Sequence, residues 1–477
     1  MKSPCLRNIY LCSFFLSIVL LSNSCKKSST ATTGSATIPV VITTSSIIDV
    51  TSTTAQSGGV ISSLGNAVLT ATGVCYSATN TTPTTANTKT SDPVATYQIS
   101  YPPFTSKLTN LTPNTTYYLR AYATNSAGTG YGSVVKFTTS SSLTAIFATA
   151  TTFAGNGTAG YVDASGLSAQ FNNPEGVTVD SKGNVYVSDT YNSLIRMITP
   201  AGAVSTVAGT PATIGYADGP AASAQFYAPG GSAFDTQGNL YVADFGNNVI
   251  RKITPAGIVS TYAGDGTAGY RNGAATSANL TGTTDTLCMF NNPQAVAVDV
   301  AGNVYVADRG NNVIRKILTT GRVITIAGTR TAGYVDATDE LASFNNPSGI
   351  AVDAQGNVYV ADQGNSAIRK ITPADVVTTI AGGPTQATLL NLPSGLTMDN
   401  AGNLYIVDEG GRVFEYTSAN VLYDLAGNLN TSGFVNGTGV GALFSNPQGI
   451  AIDASGNIYV ADQYNNCIRK IVITLAN

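Results

Sequence analysis

A single motif occurs six times between Phe171 and Ile471, and this repetition limits the possible folds more than any other feature of the sequence. The copy at 290–317 reads FNNPQAVAVDVAGNVYVADRGNNVIRKI, and the copy at 344–371 reads FNNPSGIAVDAQGNVYVADQGNSAIRKI. The first aspartates of the copies, 46 to 64 residues apart, are Asp180, Asp235, Asp299, Asp353, Asp399 and Asp453. A second aspartate always follows nine residues later. A rigidly spaced core with variable connectors indicates stacked or circularly arranged units.

Each copy predicts four short antiparallel strands. G-I-A-V-D and N-V-Y-V-A-D alternate apolar and β-branched residues, as strands with one buried face do. D-x-x-G-N between them predicts a tight turn, in which the aspartate accepts backbone N–H bonds and the glycine adopts a positive φ. I-R-K-I is a third strand and V-x-T-x-A-G a fourth. Four antiparallel strands per repeat are typical of a β-propeller blade.

The sixth copy is incomplete, because only residues 472–477 follow Ile471. The missing strand precedes the first copy as TATTFAG at 149–155, which parallels residues 205–209. We therefore expect both ends of this segment to share one blade. Such a ring of six blades leaves no exposed sheet edge at its closure.

The chain resembles the NHL repeat over about residues 146–477. The resemblance lies in three consecutive segments, P-x-G-[IV]-A-V-D, G-N-V-Y-V-A-D and N-x-x-I-R-K-I. The resemblance implies a six-bladed propeller that usually serves as a binding platform and occasionally is an enzyme. The fifth copy departs most, since Leu390 replaces Phe and Gly410-Gly411 replace the residues around Asn. Glu415 is expected where the other copies have arginine, and Arg412, found only in this copy, is a candidate to compensate.

Residues 38–139 are predicted to form a second, smaller domain, so the expected fold is all-β, a propeller preceded by a β-sandwich. LTPNTTY at 111–117 followed by LRAYATNSAGTG resembles the last strands of a fibronectin type III domain. The resemblance implies that the Tyr117 hydroxyl bonds back to the preceding turn. Upstream strands are expected at 47–50, 58–62 and 73–77, and Tyr76 is expected to fill part of the volume of the missing tryptophan. We expect a spacer, with ligand binding by this domain as the alternative.

Residues 1–24 are predicted to be a signal peptide. Lys2 and Arg7 precede an apolar stretch at 9–21 that is too short to span a bilayer stably. Small residues before Cys25 resemble a bacterial lipoprotein signal, which implies cleavage before Cys25 and its lipidation. Residues 25–37 would then be a Ser/Thr-rich tether. The expected location is the cell envelope, in an outer-membrane lipoprotein facing the periplasm or the surface, with simple secretion as the alternative.

Composition and charge argue against several functional classes. The chain has 23 Lys+Arg against 26 Asp+Glu, a net charge of −3, and no basic run beyond Lys26-Lys27, so no nucleic-acid partner is expected. Histidine is absent, which argues against the lyase propellers that depend on it. Apart from Cys25, the cysteines downstream of the signal are Cys75, Cys288 and Cys467, without metal-ligand spacing. We expect no metal site and no cofactor.

The repeated charged residues are expected to stabilise the fold. In five of the six copies an arginine follows the second aspartate by seven residues. A residue that recurs in every blade is expected to stabilise the structure common to all blades. A single binding pocket would not require six copies of the same residue. We therefore predict a buried Asp–Arg pair in each of these blades.

Ligand binding is expected where the copies differ. The residue between Pro and Gly of the motif should face the central channel, and the varied positions are Glu175, Gly230, Gln294, Ser348, Ser394 and Gln448. Variable residues also follow the second aspartate, namely Tyr191, Phe245, Arg309, Gln363, Glu409 and Tyr464. Aromatic, amide and charged groups around a concave mouth suit a protein loop, a peptide or a carbohydrate, and the alternative is a solvated rim that binds no ligand. The long connector at 264–290 is expected to fold over this mouth or to form a separate bulge.

The sequence thus predicts a non-catalytic binding platform for an unidentified protein, peptide or glycan, with no catalytic residues. The alternative is a metal-dependent hydrolase. Glu175 in N-P-E-G-V resembles the metal-binding glutamate of gluconolactonase and regucalcin-like propellers. Gln294 and Ser348 do not match the asparagine and aspartate that complete such sites.

Overall fold

The computed structural model of the protein describes residues 35–94, 103–140, 146–280, 285–384, 389–429 and 431–475. These residues form β-strands joined by turns and short 3-10 helices, without an α-helix among them. The predicted signal peptide at 1–24, Cys25 and most of the tether lie outside the described residues. Within the part of the chain that is described, no helix has the length and apolar character needed to cross a membrane.

The first nine strands form a β-sandwich. They are β1 (Val40–Thr43), β2 (Ile47–Ile48), β3 (Ala55–Ser63), β4 (Ala71–Ser77), β5 (Thr88–Lys89), β6 (Phe104–Leu108), β7 (Thr116–Asn125), β8 (Gly128–Tyr131) and β9 (Val135–Thr138). One layer contains β1, β2, β3 and β6, and the other contains β4, β5, β7, β8 and β9. Val74, Leu108, Leu119 and Phe137 are buried between the layers. The strands expected at 47–50, 58–62 and 73–77 correspond to β2, β3 and β4.

The predicted tyrosine contact is present in the sandwich. The backbone N–H of Thr112 donates a hydrogen bond to the Tyr117 hydroxyl at 2.9 Å. Tyr76 packs edge-on against Tyr117 with ring centroids 6.1 Å apart. Both tyrosines are buried in the sandwich core. Relationship to the fibronectin type III domains stays a prediction.

The remaining strands form six antiparallel sheets. Blade one is β11 (Gly176–Val179), β12 (Val185–Asp189), β13 (Leu194–Ile198) and β14 (Val204–Ala208), after β10 (Ile146–Ala154). Blade two is β16 (Pro229–Phe234), β17 (Leu240–Asp244), β18 (Val249–Ile253) and β19 (Ile258–Ala263), with β15 (Gly219–Pro220) outside β19. Blade three is β21 (Pro293–Val298), β22 (Val304–Asp308), β23 (Val313–Ile317) and β24 (Arg322–Ala327), with β20 (Gly273–Ala274) outside β24.

The second half repeats this arrangement. Blade four is β25 (Pro347–Val352), β26 (Val358–Asp362), β27 (Ala367–Ile371) and β28 (Val377–Gly382). Blade five is β29 (Pro393–Met398), β30 (Leu404–Asp408), β31 (Arg412–Tyr416) and β32 (Val421–Gly427). Blade six is β34 (Pro447–Ile452), β35 (Ile458–Asp462) and β36 (Cys467–Leu475), completed by β10 and flanked by β33 (Gly437–Thr438).

The ring closes as the incomplete sixth copy predicts. Strand β10 pairs antiparallel with β36 from Ile146↔Leu475 to Ala154↔Ile468. Each innermost strand contacts the next, and β34 contacts β11. The glycine of the P-x-G motif allows this close approach, since a Cβ added at Gly449 would lie 2.2 Å from the Glu175 carbonyl oxygen. The six-bladed β-propeller is therefore confirmed.

The predicted Asp–Arg pairs are also confirmed. They are Asp189–Arg196, Asp244–Arg251, Asp308–Arg315, Asp362–Arg369 and Asp462–Arg469, with N–O distances of 2.6–2.8 Å. All ten side chains are fully buried. In blade three the guanidinium of Arg315 also lies between the rings of Tyr270 and Phe290, 5.0 and 5.1 Å from their centroids. The aromatic residues of the repeat thus enclose the ion pair.

The expectation that Glu415 replaces the paired arginine is wrong. In blade three Asp308 lies opposite Val313, but in blade five Asp408 lies opposite Arg412, so the loop is one residue shorter. Phe414 therefore occupies the position of the arginine. Arg412 supplies the guanidinium instead and binds Asp408 at 2.8 Å, so the predicted compensation is confirmed.

The sandwich joins the outer edge of blade five. Strand β2 pairs in parallel with β32, with Ile47 opposite Val421 and Ile48 opposite Leu422. Val421 is part of the sandwich core. The Ser46 hydroxyl donates a hydrogen bond to the Ile380 carbonyl at 3.0 Å. One continuous sheet therefore extends from blade five into the sandwich.

Candidate functional site: the mouth of the central channel

The channel opens on the face where the innermost strands begin and where the loops after the second aspartates lie. The mouth is a cavity of about 430 Å³. Its walls include Glu175, Phe245, Asn292, Gln294, Arg309, Asn346, Glu409, Asn446, Gln448 and Gln463. The two sets of variable positions therefore meet at one place, as their spacing in the blade predicts.

Eight polar side chains at the mouth form one hydrogen-bonded network, in which the Asn446 amide donates to the amide oxygen of Gln463 at 2.5 Å. The Glu175 carboxylate accepts bonds from the amides of Gln294 and Gln463, each at 3.0 Å. The Arg309 guanidinium donates to the amide oxygen of Gln294 at 3.3 Å and to that of Gln363 at 2.9 Å. This half of the network joins blades one, three, four and six.

Glu409 anchors the other half of the network. Its carboxylate accepts hydrogen bonds from the amides of Gln363 at 2.8 Å and Gln448 at 3.2 Å. Blade two contributes no polar side chain to the network, because Phe245 lines the mouth there and Gly230 is buried beside it. The mouth therefore combines a polar arc over five blades with one aromatic wall.

The electrostatics of the mouth centre on Glu175. Burial raises the pKa of its carboxyl to about 7, and the charge of Glu409 adds to the rise. The hydrogen bond from Gln294 and the positive charge of Arg309 act in the opposite direction. At neutral pH this carboxyl can therefore accept or donate hydrogen bonds, depending on its ligand.

Two predicted residues lie elsewhere. Tyr191 and Tyr464 are each 63% exposed and do not line the mouth. They are the second residues after their aspartates, whereas Phe245, Arg309, Gln363 and Glu409 are the first. The equivalent residue in blade six is Gln463, which the sequence analysis missed. Counting from each aspartate in the same way would have found it.

Ser348 and Ser394 line the channel, but their hydroxyls bond to neighbouring backbone. Ser348 donates to the carbonyl of Ser394 at 2.8 Å, and Ser394 donates to the carbonyl of Pro447 at 2.8 Å. These two serines therefore connect the innermost strands of blades four, five and six.

The asparagines at the mouth were also missed. Asn292, Asn346 and Asn446 precede the proline of the motif and have φ values of 49°, 51° and 54°. Asparagine is enriched in this left-handed region, and this conformational preference is a sequence signal for the tight bend before the innermost strand.

The long connector of blade three does not cover the mouth in its described part. Ala275 donates its backbone N–H to the Gly321 carbonyl at 2.8 Å, and Asp285 pairs with Arg322. Gly321 lies in the turn between β23 and β24, at the opposite end of the blade. The expectation of a lid is therefore wrong for these residues, and 281–284 lie outside the described residues.

The mouth contains two carboxylates, Glu175 and Glu409, on blades one and five. Among the described residues there is no group of three or more Cys, Asp or Glu side chains arranged to hold a metal ion. Each of the two carboxylates instead accepts two amide hydrogen bonds.

Replacing Glu175 by glutamine should change the pH dependence of stability. Because folding raises this pKa from 4.5 to about 7, the contribution of Glu175 to stability is fully present below pH 4.5 and is lost as the pH rises through 7. Glu175→Gln should therefore gain about 1–2 kcal/mol relative to the wild type between pH 5 and pH 8.5, less than the full shift implies because the side chain is partly exposed.

Urea unfolding at the two pH values measures this difference. Glu340→Gln, in an exposed 3-10 helix, controls for the loss of one negative charge. A Glu175→Gln variant whose stability relative to the wild type is the same at both pH values would show that the carboxyl titrates normally.

Comparison with known proteins agrees with the repeat structure. The NHL repeat family model matches residues 171–196, 290–317, 344–371 and 444–471. NHL repeat-containing protein 2 of Gallus gallus is 37% identical over 92 residues, 19% of this chain and 12% of that protein. Teneurin-4 of Homo sapiens is 30% identical over 229 residues, 43% of this chain and 8% of that protein. The chain thus spans only a small part of these relatives, and it contains NHL repeats.

A solved structure extends the similarity in fold. It is described as a structural genomics protein of unknown function from Bacteroides thetaiotaomicron, and it is 19% identical with a TM-score of 0.53. The match covers 91% of this chain and 98% of that one. Since the propeller strands lie within 146–475, a match of this extent must reach into the sandwich.

Proposed function

We propose that the propeller is a non-catalytic binding platform whose channel mouth holds a protein loop, a peptide or a glycan. The observation that carries the proposal is the network of eight polar side chains beside Phe245. Its carboxylates, amides and guanidinium are already oriented by one another, so a ligand that replaces some of these bonds pays little ordering entropy. Phe245 offers an apolar surface next to them, as small-ligand sites commonly do.

The proposal also concerns where the propeller is located in the cell and how it is anchored. A lipidated Cys25 would anchor the chain in a bacterial cell-envelope membrane, with the sandwich holding the propeller away from the surface. The parallel pairing of β2 with β32 supports a fixed orientation of the platform on this spacer. Labelling of cells with a radioactive fatty acid should mark the wild type and leave Cys25→Ala unlabelled, while a labelled Cys25→Ala would refute the anchor.

Metal-dependent hydrolysis is the second candidate, favoured by the carboxyl of Glu175 with its pKa of about 7. This value suits a general acid or base at neutral pH. Hydrolysis of simple lactones in the presence of Ca²⁺ or Zn²⁺, abolished in Glu175→Gln, would support it over passive binding.

Binding at the mouth can be tested with peptide and glycan arrays. The double variant Arg309→Met with Glu409→Gln removes two charges that orient the network, and we expect its affinity for the array ligands to fall at least about thirtyfold, roughly 2 kcal/mol. Lys182→Ala, in an exposed turn at the opposite end of blade one, should bind as the wild type does. Equal binding by the double variant would place the site elsewhere.

A further inference from the structure

One loop position differs between the two halves of the face that carries the channel mouth. It is the second residue after the second aspartate of each blade. In blade one the Tyr191 N–H donates to the Asn172 carbonyl at 3.1 Å, and in blade two the Gly246 N–H donates to the Tyr227 carbonyl at 3.0 Å, so the two loops are built alike. Blades two to five have glycine at this position, whereas blades one and six have Tyr191 and Tyr464.

In the four blades with glycine another side chain covers this position. In blade two it is Tyr227, because a Cβ added at Gly246 would lie 2.5 Å from the Cγ atom of that ring. In the next three blades it is an asparagine, namely Asn291, Asn345 and Asn391, the last together with Leu429. Tyrosine therefore occupies this place in blades six, one and two, and asparagine occupies it in blades three, four and five.

The aromatic rim, which we define as Tyr464, Tyr191 and Tyr227, lies on three neighbouring blades whose loops are joined to one another. The Asn466 side chain of blade six accepts a hydrogen bond from the Asn173 N–H of blade one at 2.9 Å. The Thr190 hydroxyl of blade one donates to the Pro229 carbonyl of blade two at 2.8 Å. The three tyrosines are 63%, 63% and 46% exposed. Their hydroxyls have no hydrogen-bond partner in the described part of the chain, so they are available to a ligand.

A second row of aromatic side chains lies beside the aromatic rim. In blade one the Asn192 amide, next to Tyr191, donates to the Gly160 carbonyl at 2.7 Å. Blades two and six make the same bond to the glycine of their connector. The residue after that glycine is aromatic and about half exposed in all three blades, namely Tyr161, Tyr216 and Phe434. The six rings together expose on the order of 600 Å², a patch large enough to indicate an interaction site.

In the described parts of blades six, one and two, no cationic side chain is free to bind a ligand on this face. Their arginines are buried in the Asp–Arg pairs. Lys182 lies in the turn at the opposite end of blade one, and Lys252 and Lys470 pack over the rings of Tyr241 and Tyr459 toward that same end. Nucleic acids also stack on aromatic side chains, but their binding sites add a positively charged groove. The aromatic rim therefore suits a neutral ligand.

We propose that the aromatic rim extends the site at the channel mouth into a platform for a neutral, linear oligosaccharide. The inference rests on the proposed function, since the mouth would hold one end of the chain. The C–H groups on the flat face of a sugar ring carry partial positive charge, which the negative face of an aromatic ring attracts, and sugar hydroxyls can bond to the tyrosine hydroxyls. Neighbouring blades pack as stacked sheets do, about 10 Å apart, and diverge away from the channel. The tyrosines are therefore more than one sugar ring apart, so the rim selects a chain over a single sugar.

Titration calorimetry of the full chain with the disaccharides and hexasaccharides of the maltose, cellulose, mannan and xylan series tests the proposal. We expect at least one hexasaccharide to bind, about tenfold or more tighter than its disaccharide. Tyr191→Ala with Tyr464→Ala should weaken hexasaccharide binding about tenfold or more and leave disaccharide binding unchanged. Tyr191→Phe with Tyr464→Phe keeps both rings and should retain most of the affinity. Leu167→Ala removes a side chain that is 61% exposed at the opposite end of blade one, and should bind as the wild type does.

The proposal fails if no hexasaccharide binds, or if the alanine double variant binds one as the wild type does. Aromatic surfaces also hold proline-rich peptides, so binding of decaproline that depends on the two tyrosines, without binding of a sugar, would assign the rim to a peptide and overturn the proposal. Arg309→Met with Glu409→Gln separates the rim from the mouth. If this variant alone loses the sugar, the mouth is the site and the rim is not. If only the alanine double variant loses it, the rim holds the sugar and the function proposed for the mouth is wrong. Sister blades have glycine in place of both tyrosines, so thermal unfolding of the alanine variant should match that of the wild type.

Discussion

Replacing β10 (Ile146–Ala154) by a Gly/Ser stretch of equal length should unfold or aggregate the propeller. This strand is the fourth strand of blade six, next to β36, and Ala148, Ala150 and Ala154 within it are at most 1% exposed. Its loss would leave β36 as an unpaired edge, the kind of edge that promotes association between chains. We expect the melting temperature to fall by at least about 10 °C, measured by calorimetry and size-exclusion chromatography.

The same replacement of β1 (Val40–Thr43) serves as the control, because that strand lies at the edge of the sandwich and outside the ring. It should weaken the sandwich while leaving the unfolding transition of the propeller in place. A monodisperse β10 variant with an unchanged melting temperature would refute closure of the ring by this strand.

Arg315→Ala should destabilise the protein by roughly 3–5 kcal/mol, because it leaves the buried carboxylate of Asp308 without its charged partner. Both side chains are fully buried, and Arg315 also donates to the Met289 and Arg271 carbonyls at 2.9 and 2.8 Å. Denaturant unfolding measures the change. If the role of Arg315 is structural, ligand binding at the channel mouth should persist under all conditions in which the variant remains folded.

Arg322→Ala is the matched control in the same blade. Arg322 pairs with Asp285, but its side chain is 41% exposed, and exposed pairs contribute at most about 1 kcal/mol. A similar small effect for Arg315→Ala would show that the repeated pairs do not hold the blades. If Arg315→Ala instead lost ligand binding at the channel mouth while keeping full stability, the repeated Asp–Arg pairs would belong to the binding site.

The propeller could be predicted from sequence because five of the six blades obey the same local rules in full. The strand alternation, the D-x-x-G-N turn and the buried Asp–Arg pair depend on residues close together within one repeat. The position of β10 followed from the incomplete sixth copy. These features need no information about distant contacts.

Blade five shows where local rules fail. Glu415 aligns with the arginines by its distance from Asp408, but a loop shorter by one residue puts Phe414 at that position. A one-residue change of register reverses the face of every following side chain. Only the pairing of β30 with β31 reveals it.

The docking of the sandwich was not predictable for a different reason. Every blade has an outer strand, and nothing in the sequence of β2 (Ile47–Ile48) selects β32 over its five equivalents. The departures of the fifth copy, among them Arg412, mark blade five as different, but they do not indicate that the sandwich docks there.

The channel mouth was predicted in part. The rule that variable positions mark the site leads to Glu175, Gln294, Arg309 and Glu409, which the structure brings together. It does not distinguish a side chain facing the cavity from one used by the backbone, as in Ser348, whose hydroxyl bonds to the carbonyl of Ser394.

A crystal structure of the protein with its tightest-binding array ligand tests the central proposal most directly. We expect ligand density in the channel mouth, within hydrogen-bonding distance of Glu175, Arg309 or Glu409 and beside Phe245. Density confined to the outer rim or to the opposite face of the propeller would contradict the assignment of this function to the mouth.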